Sequence, residues 1–218
     1  MVSGKPRIVD GDTVEIDSTK LRFAAIDSPE SDQICIDSAG QDWACGVTAR
    51  DELIKFSAGR EWDCDLEGHD RYGRSLAKCF VEGEDISAWM VRSGWALSFT
   101  RYSHEYDRDE ESARLHRSGL WSGAFIAPWD WRHRNRATTV LGAFAVPIDA
   151  QKRLLGAVSA GNAPSRECII KAKVGGASCV YHLPGDPWYG KMNMGSPASR
   201  WFCSTDDAQA AGCRPPHH

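Results

Sequence analysis

Residues 21–30 decide the fold, and they read Leu21-Arg22-Phe23-Ala24-Ala25-Ile26-Asp27-Ser28-Pro29-Glu30. The bulky side chains of Leu21, Phe23 and Ile26 are typical of a β-strand. Pro29 has no N–H to donate to a neighbouring strand, so the pairing ends before it. Taken alone, this stretch predicts a half-buried strand that runs into a turn with solvated charges.

The spacing of two charged residues in this stretch predicts an irregular strand. Arg22 and Asp27 are five positions apart, and strict alternation would place them on opposite faces of the strand. For both to serve one site the strand must bulge or curl, and we place that irregularity at Ala24 and Ala25. Ser28 precedes a proline and is therefore extended, which leaves its carbonyl group able to turn toward a cation.

Two polar motifs accompany the central stretch, each beside a predicted strand. They read Val9-Asp10-Gly11-Asp12-Thr13-Val14 and Asp70-Arg71-Tyr72-Gly73-Arg74. Alone, Asp12 would be a turn residue and Arg74 a surface residue. Together with the central stretch they supply hard carboxylate oxygens, which suit calcium, and two guanidinium groups, which suit a phosphoryl group.

These three motifs, in this order over residues 5–135, resemble the thermonuclease (staphylococcal-nuclease-like) family. The resemblance implies an α+β fold in which a five-stranded OB-type Greek-key β-barrel carries three helices. It also implies calcium-dependent hydrolysis of single-stranded DNA and RNA, by an endonuclease or exonuclease that cuts the P–O5′ bond and leaves 3′-phosphate ends.

The resemblance assigns a role to each site residue. The roles are calcium binding by Asp12, Asp27 and the main-chain carbonyl of Ser28; phosphate binding by Arg22 and Arg74; water activation by Glu30; and nucleotide binding by Arg71, Tyr72 and Tyr102. Whether Glu30 accepts a proton from the water or only orients it is left open. Thr100 stands where the family has a second aromatic residue, which puts base stacking in question.

Turn and capping signals predict the remaining elements of the first part of the chain. Strands are predicted at 5–10, 12–16, 60–65, 75–82 and 95–100. Helices are predicted at 47–57, at a short segment capped by Asp85 and closed at Gly94, and at about 104–116. The stretch at 121–134 resembles the end of many bacterial members of the family.

Composition divides the chain into three parts. Residues 1–136 form the predicted nuclease domain, and 137–165 form an Ala- and Gly-rich linker with a short helix at 150–158. Residues 166–214 form a small disulfide-stabilised α+β module, which resembles the sunset domain and ends in an Ala-rich helix. A module of about 50 residues has only a small hydrophobic core, so its stability depends on cross-links.

The eight cysteines fall into two groups of four, and an even number in each group favours disulfides in an oxidising compartment. In the first group, Cys64 and Cys79 flank a hairpin turn, and Cys35 and Cys45 bracket a polar loop. In the C-terminal module we favour these pairs: Cys168 with Cys203 and Cys179 with Cys213. Zinc is the alternative there, with His182 as a further ligand, but no pair has C-x₂₋₄-C spacing.

Charge and hydropathy bound the function further. Residues 1–136 contain 18 Lys and Arg against 25 Asp and Glu, a net charge of −7, whereas residues 137–218 carry +3. An acidic domain does not attract polyanions over long distances, so we expect local phosphate binding and modest affinity. No apolar run approaches the roughly 18 residues of a membrane span. We expect a secreted or periplasmic protein, although these residues include no signal peptide.

Two other classes of function remain open. One is a catalytically weak or inactive OB-fold module that binds nucleic acid or protein; the presence of all five charged site residues argues against it. The other is an interaction protein led by the C-terminal module, whose partner the sequence does not identify. A rigid linker that covered the site would favour this last class.

Overall fold

A computed structural model of the chain describes residues 1–70, 73–133, 135, 137–160, 163, 168–174, 179–196 and 198–216. The strands are β1 Val2–Gly4, β2 Arg7–Ile8, β3 Thr13–Ile16, β4 Thr19–Phe23, β5 Ile26–Asp27, β6 Cys35–Ile36, β7 Asp42–Trp43, β8 Trp62–His69, β9 Ser75–Val81, β10 Glu84–Asp85, β11 Leu97–Ser98, β12 Phe125–Ile126, β13 Val140–Leu141, β14 Ile170–Lys173, β15 Cys179–His182, β16 Ser199–Phe202 and β17 Cys213–Arg214. The helices are α1 Cys45–Ser57, α2 Ile86–Arg92, α3 Asp107–His116, α4 Pro128–Arg132, α5 Ile148–Ala160 and α6 Thr205–Ala210. Within these ranges no helix combines the length and the apolar character that crossing a membrane requires.

The chain divides into two compact units that interleave along the sequence. The first comprises Met1–Pro29 and Gly46–Ser122, and the second comprises Glu30–Cys45 and Gly123–His218. The polar loop that follows Pro29 therefore groups with the C-terminal part of the chain. The domain limits predicted at residues 136 and 165 remain predictions.

The first unit is built on one seven-stranded sheet with the strand order β1-β8-β9-β4-β3-β2, in which β10 also pairs with β9. The β4–β9 pair is parallel, and the other pairs in this sheet are antiparallel. The central strand β4 thus joins the N-terminal hairpin to the β8–β9 hairpin. This position places the charged residues of β4 in the middle of the sheet.

The structure does not confirm the predicted five-stranded OB-type barrel: among the described residues the sheet has seven strands and does not close into a barrel. The predicted first strand is shorter than expected, because β2 covers only Arg7 and Ile8. A separate strand, β1, precedes it, and the two strands lie at opposite edges of the sheet. Only Lys5 and Pro6 separate these two strands, so the two edges approach each other and the sheet is curled. Pro6 has no N–H, and the hydrogen-bond ladder does not run through this point.

The core of the first unit lies between this sheet and its helices. Its largest fully buried side chains include Trp62, Phe23 and Leu53. Cys64 and Cys79 are direct partners in the β8–β9 register and form a disulfide, which confirms the predicted bridge across this hairpin.

Helix α2 begins as predicted. Asp85 is its N-cap, and the Asp85 carboxylate accepts a hydrogen bond from the N–H of Ala88 at 3.2 Å. Helix α3 begins at Asp107, three residues later than predicted, because residues 101–106 form two turns joined by irregular chain. The start of α3 nevertheless carries the acidic residues that favour a helix N-terminus.

In the second unit, α5 packs against the polar loop and the segment around β12. Its buried residues Ala150, Leu154 and Val158 share a core with Ile36 and Trp131. The helix predicted at 150–158 is therefore present and longer, and part of the predicted linker is buried. The Cys35–Cys45 disulfide, also as predicted, closes the polar loop.

The C-terminal part of the second unit carries a four-stranded sheet with the order β16-β14-β15-β17. Disulfides join Cys168 to Cys203 and Cys179 to Cys213, which confirms the favoured pairing. Because no cysteine is free, the zinc alternative loses its thiolate ligands. The predicted Ala-rich helix is α6, capped by the Ser204 side chain, which accepts from the N–H of Asp207.

Candidate active site

A break in the central strand brings the first two site residues together. Strand β4 ends at Phe23 and β5 begins at Ile26, and between them Ala25 takes the left-handed conformation with φ 62°. The irregularity predicted at Ala24 and Ala25 is therefore confirmed. Its consequence is an ion pair in which Nη2 of Arg22 lies 2.7 Å from Oδ1 of Asp27.

Asp12 completes a three-residue cluster. Its Oδ1 accepts a hydrogen bond from Nη1 of Arg22 at 2.7 Å, and its Oδ2 accepts from the main-chain N–H of Ser28 at 3.1 Å. Gly11 allows this close approach, because a Cβ built on it would lie 2.0 Å from Oγ of Ser28. One guanidinium thus bridges two carboxylates, and the turn after β5 closes on Asp12.

The burial of this cluster strengthens its electrostatics. The Asp27 side chain is fully buried, the Asp12 side chain is 4% exposed, and that of Arg22 is 15% exposed. Charges in such surroundings interact more strongly than in water. Two carboxylates face one guanidinium here, and this excess of negative charge suits the binding of a cation. Among the described residues there is no group of three or more His, Cys, Asp or Glu side chains placed to hold a metal.

The donor chemistry of the cluster fits calcium. Carboxylate and carbonyl oxygens are the ligands that calcium prefers. Asp12 and Asp27 supply two carboxylates brought close by their shared guanidinium, and Ser28 supplies an adjacent main-chain carbonyl. Water would have to complete such a shell.

Arg74 lies beside the cluster's strand but is held by another residue in this structure. Its Nε donates to Oδ2 of Asp70 at 2.7 Å, and its main-chain N–H donates to Oδ1 of the same carboxylate at 2.9 Å. The next residue, Ser75, pairs with Leu21 in the parallel β4–β9 register. Arg74 is therefore anchored at the start of β9, next to the strand that carries Arg22.

Lys20 is a further cation of this region that sequence reasoning missed. It lies two residues before Arg22 on β4 and therefore on the same face. Burial lowers the pKa of Lys20, and the nearby charge of Arg74 lowers it further, whereas Glu15 raises it. The spacing of two residues between Lys20 and Arg22 on one strand could have indicated from the sequence that both lie on the same face.

Glu30 belongs to the second unit, although it follows Asp27 by only three residues. Its Oε1 lies 2.6 Å from Nη1 of Arg132, and its Oε2 lies 3.7 Å from Nε of Arg200. Neither arginine was predicted to take part in the site. Arg132 lies in the stretch 121–134, whose sequence indicated only a resemblance to the end of many bacterial members of the family. No local sequence pattern indicates a role for Arg200.

The predicted nucleotide-binding residues are only partly described. Arg71 and Tyr72 lie outside the described residues. Tyr102 is 76% exposed, and its ring lies 5.1 Å from that of Phe99 between centroids. The N–H of Phe99 donates to the carbonyl of Ala25 at 2.8 Å, so this aromatic pair adjoins the turn that forms the cluster. Phe99 was not predicted to take part in the site, because Thr100, and not Phe99, stands where the family has its second aromatic residue.

Comparison with known proteins identifies the family of the chain. The model of the staphylococcal nuclease homologue family matches residues 20–123, which include Arg22, Asp27 and Arg74 but not Asp12. An uncharacterized endonuclease of Haemophilus influenzae is 30% identical over 138 residues, which cover 60% of this chain and 72% of that protein. The chain belongs to the staphylococcal nuclease homologue family.

Other relatives share the same region. The succinoglycan biosynthesis protein ExoI of Rhizobium meliloti is 34% identical over 123 residues, 55% of this chain and 64% of that protein. The SPbeta prophage-derived endonuclease YokF of Bacillus subtilis is 26% identical over 128 residues, 53% of this chain and 42% of that protein. The chain thus spans less than two thirds of the length of these two relatives.

Proposed function

We propose that the protein is a nuclease that hydrolyses phosphodiester bonds in DNA and RNA. The observation that carries this proposal is the buried Asp12–Arg22–Asp27 cluster, within a chain of the staphylococcal nuclease homologue family. The endonuclease names of the Haemophilus and Bacillus relatives add support. The bond cut is P–O5′, which leaves 3′-phosphate ends.

The two arginines neutralise the phosphate in this proposal. A phosphodiester anion repels nucleophiles, and its pentacoordinate state carries still more charge, so guanidinium groups stabilise the transition state more than the ground state. When the substrate binds, Arg22 replaces one of its carboxylate partners with a phosphate oxygen. Arg74 likewise leaves the Asp70 carboxylate and binds a phosphate oxygen. Glu30 then directs the attacking water in line with the leaving O5′.

Calcium is the proposed cofactor. Asp12, Asp27 and the carbonyl of Ser28 would hold it, and when bound it supplies positive charge that polarises the scissile phosphate. The need to bind calcium also explains why two carboxylates, which would otherwise repel a polyanion, are present at this site. Magnesium demands near-ideal octahedral geometry and should support less cleavage.

Single strands are the proposed form of substrate. Tyr102 is exposed beside Phe99, and unpaired bases stack on such rings. Arg71 and Tyr72 are proposed to hold the terminal phosphate of the bound nucleotide. Since the first 136 residues carry a net charge of −7, binding depends on these local contacts and stays modest in affinity.

The proposed location is outside the cytoplasm, in the medium or the periplasm. The structure contains four disulfides and no free cysteine, and such bonds persist in oxidising compartments. The sunset-like character of residues 166–214 stays a prediction, and the sequence identifies no partner for that module.

Incubation with end-labelled single-stranded DNA and RNA tests this function. The reaction is run with calcium, with magnesium and with chelator, and a gel resolves the products. We expect cleavage in calcium, less in magnesium and none in chelator, with ends that a 3′-phosphatase converts to 3′-hydroxyls. Binding without cleavage in all conditions would instead support the inactive binding module. The spread of product lengths distinguishes endonuclease from exonuclease action.

A further inference from the structure

Two arginines from different parts of the second unit converge on the side chain of Glu30. Arg132 lies at the end of α4 and contacts Oε1 at 2.6 Å, and Arg200 lies on β16 and approaches Oε2 to 3.7 Å. Each carboxylate oxygen therefore faces its own guanidinium. This arrangement restricts the orientation of the Glu30 carboxylate.

The residues that follow Glu30 are held by the same two elements. Oγ of Ser31 donates to the carbonyl of Trp201 on β16 at 3.2 Å. Oδ1 of the buried Asp32 accepts from Nε1 of Trp131 on α4 at 2.9 Å. The main chain and the side chain at this point are thus fixed from α4 and from β16 together.

Arg200 is itself fixed and buried. Its residue is 7% exposed, its Nη1 donates to the carbonyl of Ser199, and its Nη2 donates to the carbonyl of Arg132 at 3.1 Å. Burying a cation is costly unless it is paired and hydrogen-bonded, so an apolar residue would pack here at lower cost. The placement of an arginine therefore indicates a specific need for positive charge beside Glu30.

We propose that Arg132 and Arg200 are positioning residues for Glu30, and this inference rests on the proposed nuclease function. They hold the carboxylate in one orientation toward the attacking water. Their positive charges also offset the negative charge of the Glu30 carboxylate, which reduces its repulsion of a phosphodiester. Both arginines lie outside residues 20–123, the part of the chain that the family model matches.

A double-mutant cycle in the full-length chain tests this inference, with kcat and KM for single-stranded DNA as readouts. The variants are Arg200→Gln, Arg200→Lys, Arg132→Gln, Glu30→Gln and the double variant Glu30→Gln/Arg200→Gln. Arg214→Gln on β17 is the matched control, since it removes an exposed charge from the same sheet. Thermal unfolding first shows that each variant is folded. If the loss of the buried Arg200 prevents folding, Arg132→Gln tests the inference in its place.

We expect Arg200→Gln and Arg132→Gln each to lower kcat by about tenfold with little change in KM, and Arg200→Lys to restore part of the loss. In the Glu30→Gln background the Arg200→Gln change should have almost no further effect. The inference would be overturned if folded Arg200→Gln and Arg132→Gln both kept the parental kcat. It would also be overturned if Arg200→Gln lowered kcat just as much in the Glu30→Gln background. Either result would leave the nuclease function intact. A parent chain that cleaves nothing would overturn both.

Discussion

Arg22 and Asp27 form a partly buried ion pair at 2.7 Å although an odd number of positions separates them. In a regular strand their side chains would point to opposite faces. The left-handed residue Ala25 turns the chain between them and removes this obstacle. The geometry of the site therefore depends on one backbone conformation that alanine adopts only at a cost.

The conformation of Ala25 gives the first prediction. Ala25→Val places a β-branched residue at positive φ and should lower the free energy of unfolding by about 1–2 kcal/mol. It should also lower cleavage by at least about tenfold, because Arg22 and Asp27 move apart. Ala25→Gly should keep both properties near those of the parent.

Ala58 offers a matched control for this prediction. It also has positive φ, at 49°, and lies exposed just after α1. Ala58→Val should therefore reduce stability to a similar extent and leave cleavage unchanged. Equal losses of activity in the two valine variants would show that the turn at Ala25 has no special role in the site.

The central part of the site could be predicted from sequence because its residues act locally. Arg22, Ala25 and Asp27 lie within six positions. Strict alternation separates Arg22 from Asp27, so the assumption that both serve one site predicts an irregularity at the small residues between them. The partners of Glu30 could not be predicted in this way. Arg200 is 170 residues away, and its approach to Glu30 depends on how the second unit packs.

The edges of the sheet show a similar limit. Residues 5–10 have the composition of one strand, but strand pairing there is confined to Arg7 and Ile8 in β2, whereas the separate strand β1 precedes them and pairs with β8. The disulfides could be predicted more fully, since hairpin geometry and an even count in each half restrict the pairings.

The second prediction concerns the binding of calcium without nucleic acid. Asp12 and Asp27 are the only carboxylates proposed as ligands, so the dissociation constant should be weak, about 10⁻⁴–10⁻³ M. Asp27→Asn should weaken calcium binding further, as measured by titration calorimetry. The control Asp63→Asn, an exposed residue on β8, should bind as the parent does. Unchanged affinity in Asp27→Asn would refute this ligand assignment.

The third prediction concerns the cross-links. Thiol titration of the denatured, unreduced chain should find no free cysteine. The double variant Cys64→Ala/Cys79→Ala opens a loop with a sequence separation of 15 and should lose about 3 kcal/mol of stability. Denaturant unfolding measures this loss. Several free thiols, or bound zinc found by elemental analysis, would contradict both the pairing and the proposed compartment.

The fourth prediction concerns the pH dependence of stability. Burial raises the pKa of Glu110, against the opposing effect of the Ser98 N–H, which donates to its Oε2 at 2.8 Å. The folded chain therefore holds this proton more tightly than the unfolded chain does. The protonated Glu110 carboxyl therefore stabilises the folded chain. This stabilisation is complete below the pKa of Glu110 in the unfolded chain, and it is lost as the pH rises through the higher pKa of the folded chain.

Glu110→Gln should flatten this part of the stability profile, because glutamine cannot ionise and its carbonyl can still accept from Ser98. Thermal unfolding between about pH 4 and pH 8 measures the profile. Glu111→Gln, an exposed neighbour on α3, is the control and should follow the parent. A Glu110→Gln profile parallel to that of the parent would show that this carboxyl does not contribute.

The fifth prediction separates the catalytic role of the arginines from simple charge. Arg22→Lys and Arg74→Lys keep the net charge but lose the planar fork that can donate two bonds to a phosphate. Arg108→Lys, on the exposed face of α3, is the matched control. Thermal unfolding establishes first that each variant is folded, since Arg22 lies inside the sheet.

Single-turnover cleavage of single-stranded DNA in calcium by these four proteins is the most direct test of the proposed site. The account predicts that Arg22→Lys and Arg74→Lys each lose about 10²–10³ in rate, whereas Arg108→Lys cleaves as the parent does. Near-parental rates in both folded site variants would contradict the assignment of this cluster as the active site.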